Sequence, residues 1–251
     1  MDRCEAMLRE LNLYPQWKLR VRSAQVVQEE PAPISIAAEA IAPTAIDKKM
    51  PFSSSPSAVG GRSDIGNLGW TELKQQVRDC TACKLRAGCT QTVFGVGDEK
   101  AGWLFVGEGP GADEDALGEP FVGQAGKLLD NMLMAIKLKR GNNVYIANIV
   151  KCRPPGNRNP EADEIAACLP YLQRQIELIQ PKMIVALGKV ASNALLGKDA
   201  TLASLRGKLH EYRGIPLIVT YHPAYLLRSP NEKAKAWQDL CMAVRARHGE
   251  A

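Results

Sequence analysis

Four stretches constrain this chain more than anything else in it: AGWLFVGE (101–108), NVYIANIV (143–150), KMIVALG (182–188) and IPLIVTY (215–221). Each is strand-sized and almost wholly apolar, and a helical pattern follows each one, as in QAGKLLDNMLMAIKL (124–138), EADEIAACLPYLQRQIELIQ (161–180), ASNALLG (191–197) and NEKAKAWQDLCMAVRAR (231–247). A strand can be apolar on both faces only where both faces are covered, so the alternation predicts an α/β fold with a parallel sheet between helical layers. In such sheets the working site lies beyond the carboxyl ends of the strands. VGEGPG, NIVKCRPPGNR and TYHPAY should therefore meet along one rim. A further strand is expected within 208–221, ahead of a turn at Arg213-Gly214.

The start of the chain reads differently. Residues 1–22 suggest a short amphipathic helix with an aromatic-basic patch, either a frayed end or a docking peptide for a partner. Residues 23–68 are rich in Ala, Pro, Ser and Gly and keep no period, so they are expected to be a disordered linker. The folded domain is expected over 69–251. No apolar run is long enough to cross a bilayer, and MDRCEAMLRE has acids where a signal peptide is apolar. Seven cysteines without regular spacing suit a reducing cytoplasm better than a disulfide scaffold. The net charge is +5, and residues 1–68 carry eight charges of each sign, so the excess belongs to the folded part. That is compatible with a polyanionic partner but weak evidence for one.

Cys80 and Cys83 form a C-x-x-C pair at the end of the expected helix TELKQQVRDC, and Cys152 and Cys168 follow far downstream. A zinc ribbon would offer a second C-x-x-C, and a thioredoxin-type pair would sit between a strand and a helix. A four-iron cluster is favoured over zinc, with a set of buried structural thiols third. Cys89 remains a competing ligand on spacing alone.

GEGPGADEDALGEPFVGQAG (107–126) is not a P-loop, since it lacks G-K-[ST] and its acids would repel phosphate. Its glycines would let a flat ligand approach the backbone. Phe121, in a turn, is a candidate for stacking, with a hydrophobic plug as the alternative. Asn148 closes a buried strand, and its amide edge is complementary to uracil, whose O4 accepts and whose N3–H donates. A structural asparagine bonded to backbone is the plainer reading. His222, on the same rim, is a candidate donor to developing negative charge; His210 and His248 lie in less telling settings. Leu226 and Arg228, in Tyr225-Leu226-Leu227-Arg228, could wedge a base stack while gripping phosphate, or simply begin a helix.

Taken together, residues 70–245 resemble the family 4 (iron–sulfur, type a) uracil-DNA glycosylases. The resemblance implies a three-layer α/β/α fold around a mainly parallel four-stranded sheet. It implies a 4Fe–4S cluster on Cys80, Cys83, Cys152 and Cys168, uracil held by Phe121 and Asn148, and His222 as hydrogen-bond donor. Glu114 would lie near the wall that rejects the thymine methyl. Gly109, expected among the uracil-binding residues, stands where better-known relatives have an aspartate, which leaves Glu108, or backbone carbonyls alone, to position water. Lys151, Arg153, Arg158 and Arg228 are the candidate phosphate contacts. The implied enzyme flips deoxyuridine out of DNA and hydrolyses its N-glycosidic bond to begin base excision repair, working as a cytoplasmic monomer. The rival reading is a non-catalytic cluster or zinc protein that binds nucleic acid and recruits partners.

Overall fold

The computed structural model describes residues 65–249. The expected docking helix and the expected linker up to residue 64 lie outside the described residues. The last linker residues, Ile65–Asn67, form a 3₁₀ turn.

Six strands make one sheet in the order β1-β3-β2-β4-β6-β5. They are β1 (Val96–Gly97), β2 (Trp103–Gly107), β3 (Val144–Asn148), β4 (Met183–Leu187), β5 (Leu209–Tyr212) and β6 (Ile215–Thr220). The inner four are parallel, and β1 and β5 add antiparallel edges. The four strands that the resemblance implies are the middle of the sheet, the further strand expected within 208–221 is its edge strand β5, and β1 is the border left unread. β1 is two residues held by backbone pairing to Tyr145 and Ile146, too short to leave a hydrophobic signature. β5 folds back on β6 through Arg213 and Gly214, both at positive φ (49° and 83°), the geometry a tight hairpin needs.

The helices are α1 (Trp70–Arg78), α2 (Leu85–Gly88), α3 (Ala112–Leu117), α4 (Gln124–Ala135), α5 (Ala162–Ile179), α6 (Lys189–Leu196), α7 (Leu202–Leu205), α8 (Pro223–Arg228) and α9 (Lys233–His248). Successive strand residues point to opposite faces, and the core divides accordingly. Leu104, Val106, Ala147, Ile184 and Val219 join one cluster with α1, α5 and α6. Trp103, Phe105, Ile146, Val185 and Ile218 join another with α4 and α9. This is the expected three-layer arrangement, each buried aliphatic side chain contributing about 1.5–3 kcal/mol.

The chain runs from β2 to β3 on one side and then crosses to β4 on the other side of β2. That reversal opens a crevice at the carboxyl ends of the strands, where ligands bind in such folds. Among the described residues, no helix is long and apolar enough to cross a membrane.

Candidate active site and thiol pocket

A cleft of about 370 Å³ occupies that crevice. Glu108 and Gly109 reach it from the end of β2, Asn148 from the end of β3, and His222 from just beyond β6. Glu114, Phe121, Arg158 and Arg228 line it as well. Segments more than 110 residues apart in the chain thus converge on one cavity.

Asn148 is 1% exposed, and its Oδ1 makes no hydrogen bond among the described residues. A buried amide oxygen without a donor costs free energy, on the order of 1–3 kcal/mol. The atom lies at a cleft, so a ligand N–H could supply the missing donor. Gly107, opposite Asn148 across the β2–β3 ladder, is held to glycine by this arrangement, because a Cβ there would overlap both Asn148 Oδ1 and the Phe121 ring.

Phe121 is buried and adopts φ +56°, the left-handed region that a bulky residue enters at a cost of about 1–3 kcal/mol. Two clamps hold its turn. Arg140 donates from Nη1 to Pro120 O at 2.9 Å and from Nη2 to Phe121 O at 2.8 Å, while its Nε is fixed by Asp130 at 2.9 Å. On the other side, Glu114 Oε1 accepts from Val122 N (2.9 Å) and Gly123 N (3.1 Å), and its Oε2 accepts from Gly111 N (3.0 Å). Glu114 is thus a wall of the cleft and also a staple that joins its two glycine-rich edges. Arg140 gave no signal in the sequence; the carbonyls it holds lie 19 and 20 residues upstream, before α4.

His222 Nδ1 accepts the Ala224 backbone N–H at 3.2 Å, as the N-cap of α8. The proton of the neutral ring therefore belongs on Nε2. Burial pulls the imidazole pKa down to about 4, Arg228 adds to that, and Glu114 opposes it. The ring lies 5.4 Å from that of Phe121, tilted by 31°. Gly188, at φ +91°, passes so close that a Cβ would sit 3.1 Å from His222 Cβ. Burial also raises the Glu108 carboxyl above its ordinary range, which makes it a better proton acceptor than a solvated glutamate.

Cys80, Cys83, Cys152 and Cys168 line a second pocket, walled also by Lys151 and Tyr171. Burial raises the Cys83 and Cys152 thiols and pushes Cys168 up to about 11, against the opposing charge of Lys151. Lys84 pairs with Glu161 at 2.5 Å, tying the C-x-x-C segment to the start of α5, which carries Cys168. Among the described residues, no three Cys, His, Asp or Glu side chains converge as the ligands of a single metal ion do. An all-sulfur set around one pocket offers the kind of ligands that a polynuclear iron–sulfur cluster takes. Cys89 is also buried; it interacts with Cys152, and its sulfur lies 3.7 Å from Arg86 Nη1.

Three expected DNA contacts need correction or refinement. Lys151 is 1% exposed, with its ammonium bonded inside the protein, so it cannot reach a phosphate. Leu226 is 1% exposed and packs into the cluster shared with α4 and α9; Leu227 and Tyr225 are the exposed apolar side chains of α8, at 44% and 39%. The helical turn carries Leu226 inward, a placement that a run of four residues does not reveal. Arg158 lines the cleft but holds buried Glu164 through both Nη atoms, at 2.8 and 2.7 Å. Arg153 bonds Asn157 at 2.8 Å in the exposed loop.

The sequence model of the uracil DNA glycosylase superfamily matches residues 94–241. The type-4 uracil-DNA glycosylase of Pyrobaculum aerophilum is 42% identical over 179 residues, covering 68% of this chain and 91% of the relative. That of Sulfurisphaera tokodaii is 46% identical over 168 residues, covering 64% and 76%. A type-4 enzyme from Thermotoga maritima is 43% identical over 165 residues, covering 65% and 85%.

Proposed function

The chain belongs to the uracil-DNA glycosylase superfamily and acts as a uracil-DNA glycosylase in DNA repair, and from that premise we propose how its residues bind the base and break the bond. Deoxyuridine leaves the base stack, at a cost of a few kcal/mol, and enters the cleft. Phe121 stacks on the pyrimidine. Asn148 Oδ1 accepts N3–H of uracil and its Nδ2 donates to O4; cytosine presents the reverse pair at those positions. The Phe121 turn and Glu114 form the wall beside C5, where a thymine methyl would intrude.

The C1′–N1 bond then breaks, its electron pair staying on uracil and leaving an oxocarbenium-like sugar. His222 Nε2–H donates to uracil O2 as negative charge gathers there. A neutral imidazole suits this task, since it stabilises the anion without losing its proton. Glu108 orients the water that attacks C1′ and takes its proton, and uracil departs as an anion to be protonated from solvent. Most of the catalysis comes from stabilising the leaving group.

Cys80, Cys83, Cys152 and Cys168 hold a 4Fe–4S cluster in this reading. When bound, the cluster supplies iron–thiolate bonds that cross-link the 80–83 segment to the 152–168 segment. That fixes the loop carrying Arg153 and Arg158 beside the cleft. The enzyme works in the cytoplasm, where the thiols stay reduced, and residues 1–22 serve as a docking element for a repair or replication protein.

The observation that carries this reading is the unpartnered, buried Asn148 Oδ1 at a cleft that also holds Phe121 and His222. Its test is base release from oligonucleotides carrying uracil or cytosine, by the wild type and by Asn148→Asp. The variant should lose selectivity for uracil. Unchanged selectivity would discard the role given to Asn148, and a wild type that binds DNA without releasing base would leave only the binding reading.

A further inference from the structure

We propose that Lys151 is a positioning residue: a buried ammonium that serves as counter-charge to the cysteine cage and ties that cage to Asn148. The inference rests on the cluster reading and on the role given to Asn148.

The geometry starts from one loop. Asn148 ends β3, Lys151 follows three residues later, and Cys152 is next to it. Lys151 Nζ donates to the backbone carbonyl of Asn148 at 2.9 Å and to Gln175 Oε1 at 2.7 Å. Its backbone N–H donates to Cys168 Sγ at 3.2 Å, and its carbonyl accepts Val93 N–H at 2.7 Å. Gln175 is itself held, donating to Phe94 O at 3.0 Å and to Tyr145 Oη at 3.4 Å. One residue therefore touches a cage sulfur with its main chain and the base-reading asparagine with its side chain.

Charge supplies the second argument. A buried ammonium needs an anion nearby, because neutral dipoles replace only part of its lost hydration. Among the described residues, no carboxylate lies within ion-pair distance of Lys151, and the cage sulfur that its main chain touches is that of Cys168. The residue lines the thiol pocket. A cluster bound through four thiolates is net anionic and faces this cation across a medium that screens weakly. The ammonium is thus retained by the cage, and its bond to the Asn148 carbonyl fixes the peptide from which the reading amide projects. The Oδ1 of that amide has no hydrogen-bond partner among the described residues to hold it, so the peptide it projects from bears on its aim.

Two measurements test this. In the first, hydrogen exchange is followed in the full wild-type chain before and after iron is removed with a chelator. Coupling through Lys151 predicts lost protection at residues 146–151 while β4 and β6 stay protected. Unchanged exchange at 146–151 would overturn the coupling. In the second, Lys151→Met, which keeps length and removes charge, is compared with wild type for iron content, cluster reduction potential and the kinetics of uracil release. The proposal expects a more negative potential, because a nearby cation is gone, and a fall in kcat of roughly 10–100-fold with KM for DNA little changed. A folded, iron-loaded variant with wild-type potential and kcat would refute it. If that variant does not fold, the exchange experiment alone decides. A wild type without iron would refute the cluster reading instead, and a wild type with iron but no uracil release would refute the reading of the cleft.

Discussion

Replacing His222 with alanine removes the side-chain donor assigned to O2 of the leaving uracil, and the structure bears on both the size and the pH dependence of the effect. An oxyanion-type donor in a dry site is worth about 2.7–4 kcal/mol, so kcat should fall by roughly 10²–10³ while KM changes little. The same burial that strengthens the hydrogen bond holds the imidazole pKa at about 4. An unfolded histidine takes up its proton near pH 6.5 and the folded His222 only near 4. Its stability contribution is therefore complete above pH 6.5 and is lost as pH falls from 6.5 towards 4, a total on the order of 3 kcal/mol. Single-turnover uracil release from pH 5 to 9 should show no step near 6.5; any acid limb belongs to Glu108, whose raised pKa comes from burial. Nitrogen NMR of labelled histidine should find the His222 ring neutral at pH 6, with its proton on Nε2. Arg228→Ala, which removes a neighbouring positive charge, should raise the His222 pKa. An imidazolium at pH 6, or a loss of less than fivefold in His222→Ala, would refute the assignment.

Arg140→Met should release the strained Phe121 turn. Two charge-assisted hydrogen bonds, each worth about 1.5–3 kcal/mol, now offset the cost of its φ of +56°, so a fall in kcat of about tenfold with a lowered melting temperature is expected in uracil-release and thermal assays. Leu226→Ala should cost about 2–5 kcal/mol in urea unfolding, and Leu227→Ala no more than about 0.5 kcal/mol while weakening binding to uracil-containing DNA, because the first side chain is in the core and the second is exposed. Arg228→Ala should lower the slope of log K against log salt by about 0.9 on duplex DNA, whereas Lys151→Met should leave that slope unchanged, which equilibrium titration would measure.

What could be read in advance follows a physical line. The inner strands were legible because burial on both faces leaves continuous apolar runs, and Asn148 and His222 stood out as polar residues where those runs end. α3 was hidden in a segment that reads as a glycine-rich acidic turn. Its acids Asp113, Glu114 and Asp115 lie in the first helical turn, where negative charge is favoured, and Glu114 caps backbone N–H groups there. β1 was hidden because two backbone-paired residues carry no pattern. The misjudged residues share one cause. Lys151 sits among Arg153 and Arg158 and looks like part of a solvated basic loop, and only the tertiary structure sets Gln175, the Asn148 carbonyl and Cys168 around it. Leu226 differs from Leu227 by one helical step, and its burial depends on the cluster that α8 packs against.

The central claim is that one cleft selects an everted uracil and severs it from deoxyribose. The most direct measurement is the release of free base from otherwise identical oligonucleotides bearing a single uracil, thymine or cytosine, using the full-length chain with its iron content determined in the same sample. Free uracil and an abasic site from the first substrate, with the other two intact, is the predicted result; folded, iron-loaded protein that leaves all three untouched, or releases them alike, would contradict it.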